Sequence, residues 1–259
     1  LSGFFVLMEN VYPNEAQMDD VTQKRLAKLK KIRNRKDLKL KKSGYLKDPF
    51  TTFGGDEREL RLRYYQIQGV LHLLAVSRFV LGDGTGLGKT LQSIAALCYT
   101  WDRNPNVKAL VLTNKSAVPQ WVGEFSKFTS GVNAILCRGT PKQRQKAYDE
   151  FNASKGPTVL VMGYRSAVQD FQKLQDVKWG CVIYDEASAF KNPKTKIHQV
   201  CRHFSGNSDR TWGLTATLIK NRLEEGWGIY QVIAPGLFHP SHSRFMSEFC
   251  VTRMQRIKG

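Results

Sequence analysis

Acidic residues, paired cysteines and uninterrupted apolar sequence are all scarce in this chain of 259 residues. The 22 Asp and Glu face 40 Lys and Arg, leaving a net charge of +18, a field that attracts polyanions, of which nucleic acid is the commonest in a cell. Five cysteines, at 98, 137, 181, 201 and 250, form no C-x-x-C pair, which excludes a disulfide framework and a zinc ribbon. The cluster His198, Cys201 and His203 matches no standard zinc spacing and has no partner pair nearby, so no metal centre of that kind is expected. The longest apolar stretch, GVLHLLAVSRFVLG, is broken by His72 and Arg78 and falls short of the roughly 18 to 20 residues that cross a bilayer. The opening LSGFFVLMEN lacks the charged lead and small-residue cleavage site of a secretory signal. With 41% hydrophobic and 24% charged residues, the chain reads as globular, intracellular and a piece of a longer protein.

The positive charge is concentrated. Residues 21–47 hold twelve Lys or Arg against one acid, Asp37. Asp20 offers a helix N-cap with Gln23 three residues on, and Leu26, Leu29 and Ile32 form a stripe among lysines. A basic amphipathic helix is expected there, either gripping nucleic acid or simply solvated. The following LKKSGYLKDPFTTFGGDE, with Gly44, Pro49, Gly54 and Gly55, reads as a linker. Two units follow: a basic extension over 1–57 and a main domain over 58–259.

In the main domain short apolar runs alternate with helical patterns. The runs are RFVLG (78–82), ALVLT (109–113), NAILC (133–137), TVLVM (158–162), CVIYD (181–185) and TWGLT (211–215). Runs that are apolar without alternation suit strands covered on both faces, and the intervals are long enough for crossover helices. The expected fold class is α/β, a doubly wound and mostly parallel sheet.

Residues 82–90, GDGTGLGKT, nearly satisfy the phosphate-loop pattern G-x-x-x-x-G-K-[ST], with Asp83 where the first glycine belongs. A bare G-K-[ST] arises by chance in roughly one chain in eight of this length at average residue frequencies, so the setting decides. Here the segment follows an apolar strand and opens a helical pattern, KTLQSIAALCYTW. Gly84, Gly86 and Gly88 let backbone N–H groups approach phosphate, with Thr85 and Leu87 between them. Lys89 can reach the β and γ phosphates, and Thr90 can ligate Mg²⁺. The acidic pair Asp185 and Glu186 ends another predicted strand, where one carboxylate can hold Mg²⁺ and the other can activate water. Thr215 and Thr217 follow a third strand. In a doubly wound sheet the carboxyl ends of strands share one edge, so these segments should converge.

Taken in order, these segments resemble the first RecA-like lobe of superfamily-two helicases and, within them, the Swi/Snf-type DNA translocases. LRYYQIQGV is similar to that family's adenine-reading segment, which implies that Gln66 takes the adenine edge. DGTGLGKT resembles its phosphate loop, in which an acid commonly stands at the first position; the Asp83 carboxylate is expected to point away from the phosphates. ALVLTNKSAVPQW and VMGYRSA resemble the two segments that line the nucleic-acid groove, with Asn114 where relatives carry Pro and with Lys115, Tyr164 and Arg165 as candidate contacts. DEAS resembles the DEAH box, with Ser188 in place of His, and LTATLIKN the coupling motif, making Ser188, Thr215 and Thr217 candidate coupling residues. The segment LEEGWGIYQVIAPGLFHPSHSRFMSEFC follows the pattern that separates Swi/Snf-type translocases from DEAD-box RNA helicases. The resemblance implies ATP and Mg²⁺ as cofactors, Lys89, Asp185 and Glu186 in catalysis, double-stranded DNA as partner, and a second RecA-like lobe that supplies arginines. An RNA or strand-separating helicase uses the same chemistry, and an inactive nucleic-acid-binding scaffold is the reading from another class.

Overall fold

A computed structural model of the chain describes residues 24, 27, 28, 30–32, 40, 43–47, 62–218 and 223–249. A six-stranded sheet forms its centre, in the order β1-β6-β5-β2-β4-β3, with every pairing parallel. The strands are β1 (Arg78–Leu81), β2 (Lys108–Thr113), β3 (Asn133–Cys137), β4 (Thr158–Gly163), β5 (Cys181–Asp185) and β6 (Thr211–Leu214). All six expected runs are strands, and the sheet is parallel throughout.

The physical reason lies in the strand sequences. In β2, Ala109 and Val111 turn to one face while Leu110 and Leu112 turn to the other, and all four are fully buried. Each face therefore needs its own cover. One face is packed by α1 (Tyr64–Ala75), α2 (Lys89–Arg103) and α3 (Val118–Phe128), with Ile94, Trp101 and Phe125 in the core. The opposite face meets α4 (Pro141–Ala153), α5 (Tyr164–Gln169), the short α6 (Phe171–Leu174), α7 (Lys196–Gly206), α8 (Leu223–Ile233) and α9 (His242–Phe249). Full burial of a large apolar side chain contributes about 1.5–3 kcal/mol, so the two layers together fix the register of the sheet.

Local signals set the helix starts. Thr140 caps α4, accepting from Gln143 N at 3.3 Å while Gln143 Oε1 accepts from Thr140 N at 2.8 Å, and Pro141 fills the first turn. Thr195 caps α7 by accepting from His198 N at 3.2 Å. A buried ion pair ties α4 to the α5–α6 junction: Arg144 grips Asp170 with Nε and Nη2, at 2.5 and 2.9 Å, and Tyr148 OH adds a third donor at 2.6 Å. Burial pushes the Asp170 carboxyl up, but these hydrogen bonds and the arginine charge outweigh it and hold the group below the usual carboxylate range.

The expected basic helix is seen in part, with Lys24, Ala27, Lys28 and residues 30–32 helical; Leu26 and Leu29 lie outside the described residues. The described part of the expected linker, Leu40 and residues 43–47, lies on the lobe as a strap. Leu40, Tyr45 and Leu46 pack against the α1–α3 face. Ser130 N donates to Tyr45 O and Lys47 N to Phe128 O, both at 3.0 Å, around an antiparallel bridge between Leu46 and Thr129. Those partners join the end of α3 to the start of β3, so the strap sits at the amino edge of the sheet. No described helix is long and apolar enough to cross a membrane.

Candidate nucleotide-binding and active site

The candidate site segments meet at the carboxyl edge of the sheet. Leu81 pairs with Leu214, which pairs with Asp185, so the loop after β1, the Thr215 segment and the acidic pair leave the sheet at one level. Thr215 N donates to Leu81 O at 3.2 Å, joining two of these segments directly. Thr217 N bonds back to Thr215 Oγ1 at 3.1 Å, so the Thr215 hydroxyl, fully buried, shapes its own turn.

Residues 84–87 of the phosphate loop are exposed, while Asp83 beside them is buried. Gly86 and Gly88 have φ of +77° and +75°, backbone conformations that favour glycine, and the Gln66 amide comes within 2.6 Å of where a Cβ on Gly88 would stand. Lys89, the first residue of α2, donates to Asp83 O at 2.8 Å and Gly84 O at 3.0 Å, which holds its ammonium over the loop. Gln66 Nε2 donates to Leu87 O at 3.3 Å and its Oε1 accepts from Arg63 N at 2.9 Å, so Gln66 props the loop. Asp83 Oδ2 accepts from Gln92 Nε2 at 2.9 Å beneath the loop. The Asp83 carboxylate is thus turned inward, away from the exposed glycines.

Asp185 is held from three sides. Its Oδ2 accepts from Thr113 Oγ1 at 2.7 Å and from Trp121 Nε1 at 2.8 Å, and its carbonyl accepts from Tyr164 OH at 2.8 Å. Glu186, next along, has φ +54°, and it is the one non-glycine with positive φ among the described residues. Such a conformation costs on the order of 1 kcal/mol and marks the chain reversal out of β5 into the 3-10 turn Ala187–Phe190, which contains Ser188. Lys115 is exposed, and so is Arg165, the second residue of α5 just past β4. Tyr164, the third candidate of this group, is 5% exposed, packs edge-on to Phe190 and donates its hydroxyl to the Asp185 carbonyl. Burial pushes its phenol well above the ordinary value.

Gln92, Thr113 and Trp121 were not singled out by sequence reasoning. Thr113 and Trp121 stand in the ALVLTNKSAVPQW segment and Gln92 in the helix after the loop, but their contacts with Asp185 and Asp83 are made across the fold and leave no local signal. For Mg²⁺, the available donors are the Thr90 hydroxyl and the Asp185 carboxylate, both hard oxygens. Among the described residues no group of three His, Cys, Asp or Glu gathers.

Residues 65–256 match the family model described as SNF2-related domain. Human lymphoid-specific helicase is 31% identical over 201 residues, covering 74% of this chain and 24% of that protein. The yeast (Saccharomyces cerevisiae) ISWI chromatin-remodeling complex ATPase ISW1 is 30% identical over 184 residues, 69% of this chain and 16% of its own length. Mouse chromodomain-helicase-DNA-binding protein 1-like is 32% identical, with 69% and 20% covered. The chain thus spans a quarter or less of each. Among solved structures, the Sulfolobus solfataricus SWI2/SNF2 ATPase core in complex with dsDNA aligns with a TM-score of 0.62 and 30% identity over 72% of this chain and 38% of that one. With the parallel sheet and the phosphate loop at its carboxyl edge, these matches show that the chain belongs to the SNF2 family of helicase-like ATPases and corresponds to the N-terminal RecA-like lobe.

Proposed function

We propose that this lobe is the ATP-binding half of a DNA-dependent ATPase that couples hydrolysis to movement along double-stranded DNA. The observation that carries the reading is the convergence of the exposed glycine loop, Asp185 and Thr215 on one level of the carboxyl edge. The similarity to an SWI2/SNF2 core complexed with dsDNA supports the choice of duplex. Residues 1–57 are read as the basic extension and 58–259 as the lobe.

Each residue then has a task. The amides of residues 84–88 and the start of α2 cradle the phosphates, with Thr85 and Leu87 supplying backbone to the loop. Lys89 exchanges its bonds to Asp83 O and Gly84 O for phosphate oxygens. Gln66 exchanges Leu87 O for the adenine edge. Thr90 and Asp185 hold Mg²⁺, which when bound neutralises charge on the phosphates. Glu186 orients and deprotonates the attacking water. Ser188, Thr215 and Thr217 relay the nucleotide state, and Lys115 and Arg165 meet backbone phosphates. A second RecA-like lobe supplies the arginines, a contribution worth about 10³ to 10⁵ in rate when such a residue arrives across an interface.

ATPase activity of the full-length protein, measured with and without duplex DNA, is the test. Duplex should stimulate hydrolysis, and Lys89→Ala should lower the stimulated rate by about 100-fold or more, the order expected when one preorganised charge donor is removed. Absence of stimulation, or full activity in the Lys89 variant, sinks the reading. Stronger stimulation by RNA or by single strands reassigns the substrate.

A further inference from the structure

Thr113 and Trp121 are the residues on either side of one loop. Thr113 ends β2, Trp121 lies in the first turn of α3, and between them run residues 114–120 with the exposed Lys115. From opposite ends of this loop both donate to the same atom, Asp185 Oδ2, at 2.7 and 2.8 Å. These are short, charge-assisted bonds from two donors withdrawn from water, Thr113 at 0% and Trp121 at 2% exposure, to a half-buried carboxylate. With Oδ2 doubly engaged, the orientation of the carboxylate is fixed.

A buried indole N–H commonly finds a partner simply because it is buried. Trp101 and Trp227 give theirs to backbone carbonyls, Val107 O and His239 O. Trp121 differs in its acceptor, a side-chain carboxylate that Thr113 reaches from the other end of the same loop.

We propose that Thr113 and Trp121 are positioning residues that make the metal-holding carboxylate of Asp185 sense the loop between them, so that nucleic acid on that loop and metal-nucleotide at Asp185 strengthen each other's binding. The inference rests on the reading of Asp185 as a Mg²⁺ ligand. Phosphate drawn to Lys115 restrains the loop, the restrained loop holds both donors, and the donors hold Oδ2. Linkage makes the effect reciprocal: the factor by which duplex tightens metal-nucleotide binding equals the factor by which metal-nucleotide tightens duplex binding.

The test uses full-length protein, with Mn²⁺ as a paramagnetic stand-in for Mg²⁺ and ADP as the nucleotide. Trp121→Phe keeps the ring and loses the donor; Thr113→Val keeps the shape and loses the hydroxyl. Free Mn²⁺ read by its EPR signal at saturating ADP should show metal affinity about 10- to 100-fold weaker in either variant, the usual cost of losing a partner of a metal ligand. The ratio of duplex dissociation constants without and with Mn²⁺·ADP should fall toward one, while ADP binding without metal stays at the wild-type value. A second measurement needs no tryptophan variant. In wild-type protein with ¹⁵N-labelled indoles, one indole resonance should move on adding Mg²⁺·ADP and again on adding duplex, and Thr113→Val should shift that same resonance beforehand. Unchanged metal affinity and coupling ratio in folded variants, or no indole that answers both ligands, overturns the proposal and leaves the ATPase reading intact. A wild-type protein that binds no metal-nucleotide overturns both.

Discussion

Asp83 occupies the position where a glycine would complete the phosphate-loop pattern, and its partner explains how the loop accommodates an acid there. One amide nitrogen, Gln92 Nε2, donates to Asp83 Oδ2 at 2.9 Å and to Leu87 O at 3.2 Å, so it ties the two shoulders of the loop together from below. The other end of the amide carries a cost, because Gln92 Oε1 is buried with no hydrogen-bond partner among the described residues. It lies where a Cβ on Gly69 would be only 1.8 Å away, so Gly69 gives α1 room beside it. A hydrogen bond to a charged group contributes about 1.5–3 kcal/mol, enough to offset a buried acceptor left unpaired. Asp83→Ala should therefore lower stability by about 1–2 kcal/mol in denaturant unfolding and weaken ADP binding, whereas Asp83→Asn, which can still accept from Gln92, should recover most of both. An alanine variant as stable as wild type would show that the tie holds nothing. Lys89, Asp185 and Thr215 could be named as candidates from short local patterns, and the fold brings their segments to one edge of the sheet. Thr113 and Trp121 lie inside the quoted ALVLTNKSAVPQW, but nothing in that segment shows that they meet Asp185, 72 and 64 residues away.

At the scale of elements, all six runs were legible as strands; five are buried along nearly their whole length because both faces of the sheet are covered there, while the edge strand β3 leaves Leu136 46% exposed. What the runs could not show is how α8 is set against the turn that follows Asp185. Gly228 decides this: a Cβ there would stand 1.9 Å from Lys191 O and 2.9 Å from Lys191 C, both backbone atoms. Lys191 in turn bonds Glu225 of α8 at 2.7 Å, so the helix is held close by charge and admitted by glycine. Alanine in a helix is intrinsically about 1 kcal/mol better than glycine. Gly228→Ala should nevertheless destabilise the lobe, by about 1–3 kcal/mol for an overpacked site, and depress ATP hydrolysis because the 3-10 turn must move. The contrast is Gly123 in α3, exposed and with nothing within 4 Å of its would-be Cβ; Gly123→Ala should raise stability by about 0.5–1 kcal/mol. Thermal melts of the two variants should move in opposite directions. If both rise, the close approach of α8 to Lys191 is not limiting.

For the whole molecule, the question is where the charge sits relative to the chemistry. The formal charge is +18, and residues 21–47 contain twelve basic residues and one acid. The strap over 43–47 fastens this segment to the amino edge of the sheet, whereas the phosphate loop and Asp185 lie on the carboxyl edge. Composition announced the charge, but not the strap, since Tyr45 and Leu46 among lysines, glycine and proline resemble any connector. Exposed Lys24, Lys28 and Lys31 leave the helical part of the extension able to meet a polyanion. Removing residues 1–38 while keeping the strap should leave the melting temperature unchanged but weaken duplex and single-stranded DNA alike. Each phosphate no longer neutralised by the protein reduces the slope of log affinity against log salt by about 0.9, so a drop of several such increments is expected. Removing residues 1–47 should add a loss of stability, because the apolar surface under Leu40, Tyr45 and Leu46 is uncovered and Phe128 O and Ser130 N lose their partners. A salt slope that does not change after the first truncation identifies the helix as merely solvated. A melting temperature that does not change after the second shows that the strap contributes no stability to the lobe.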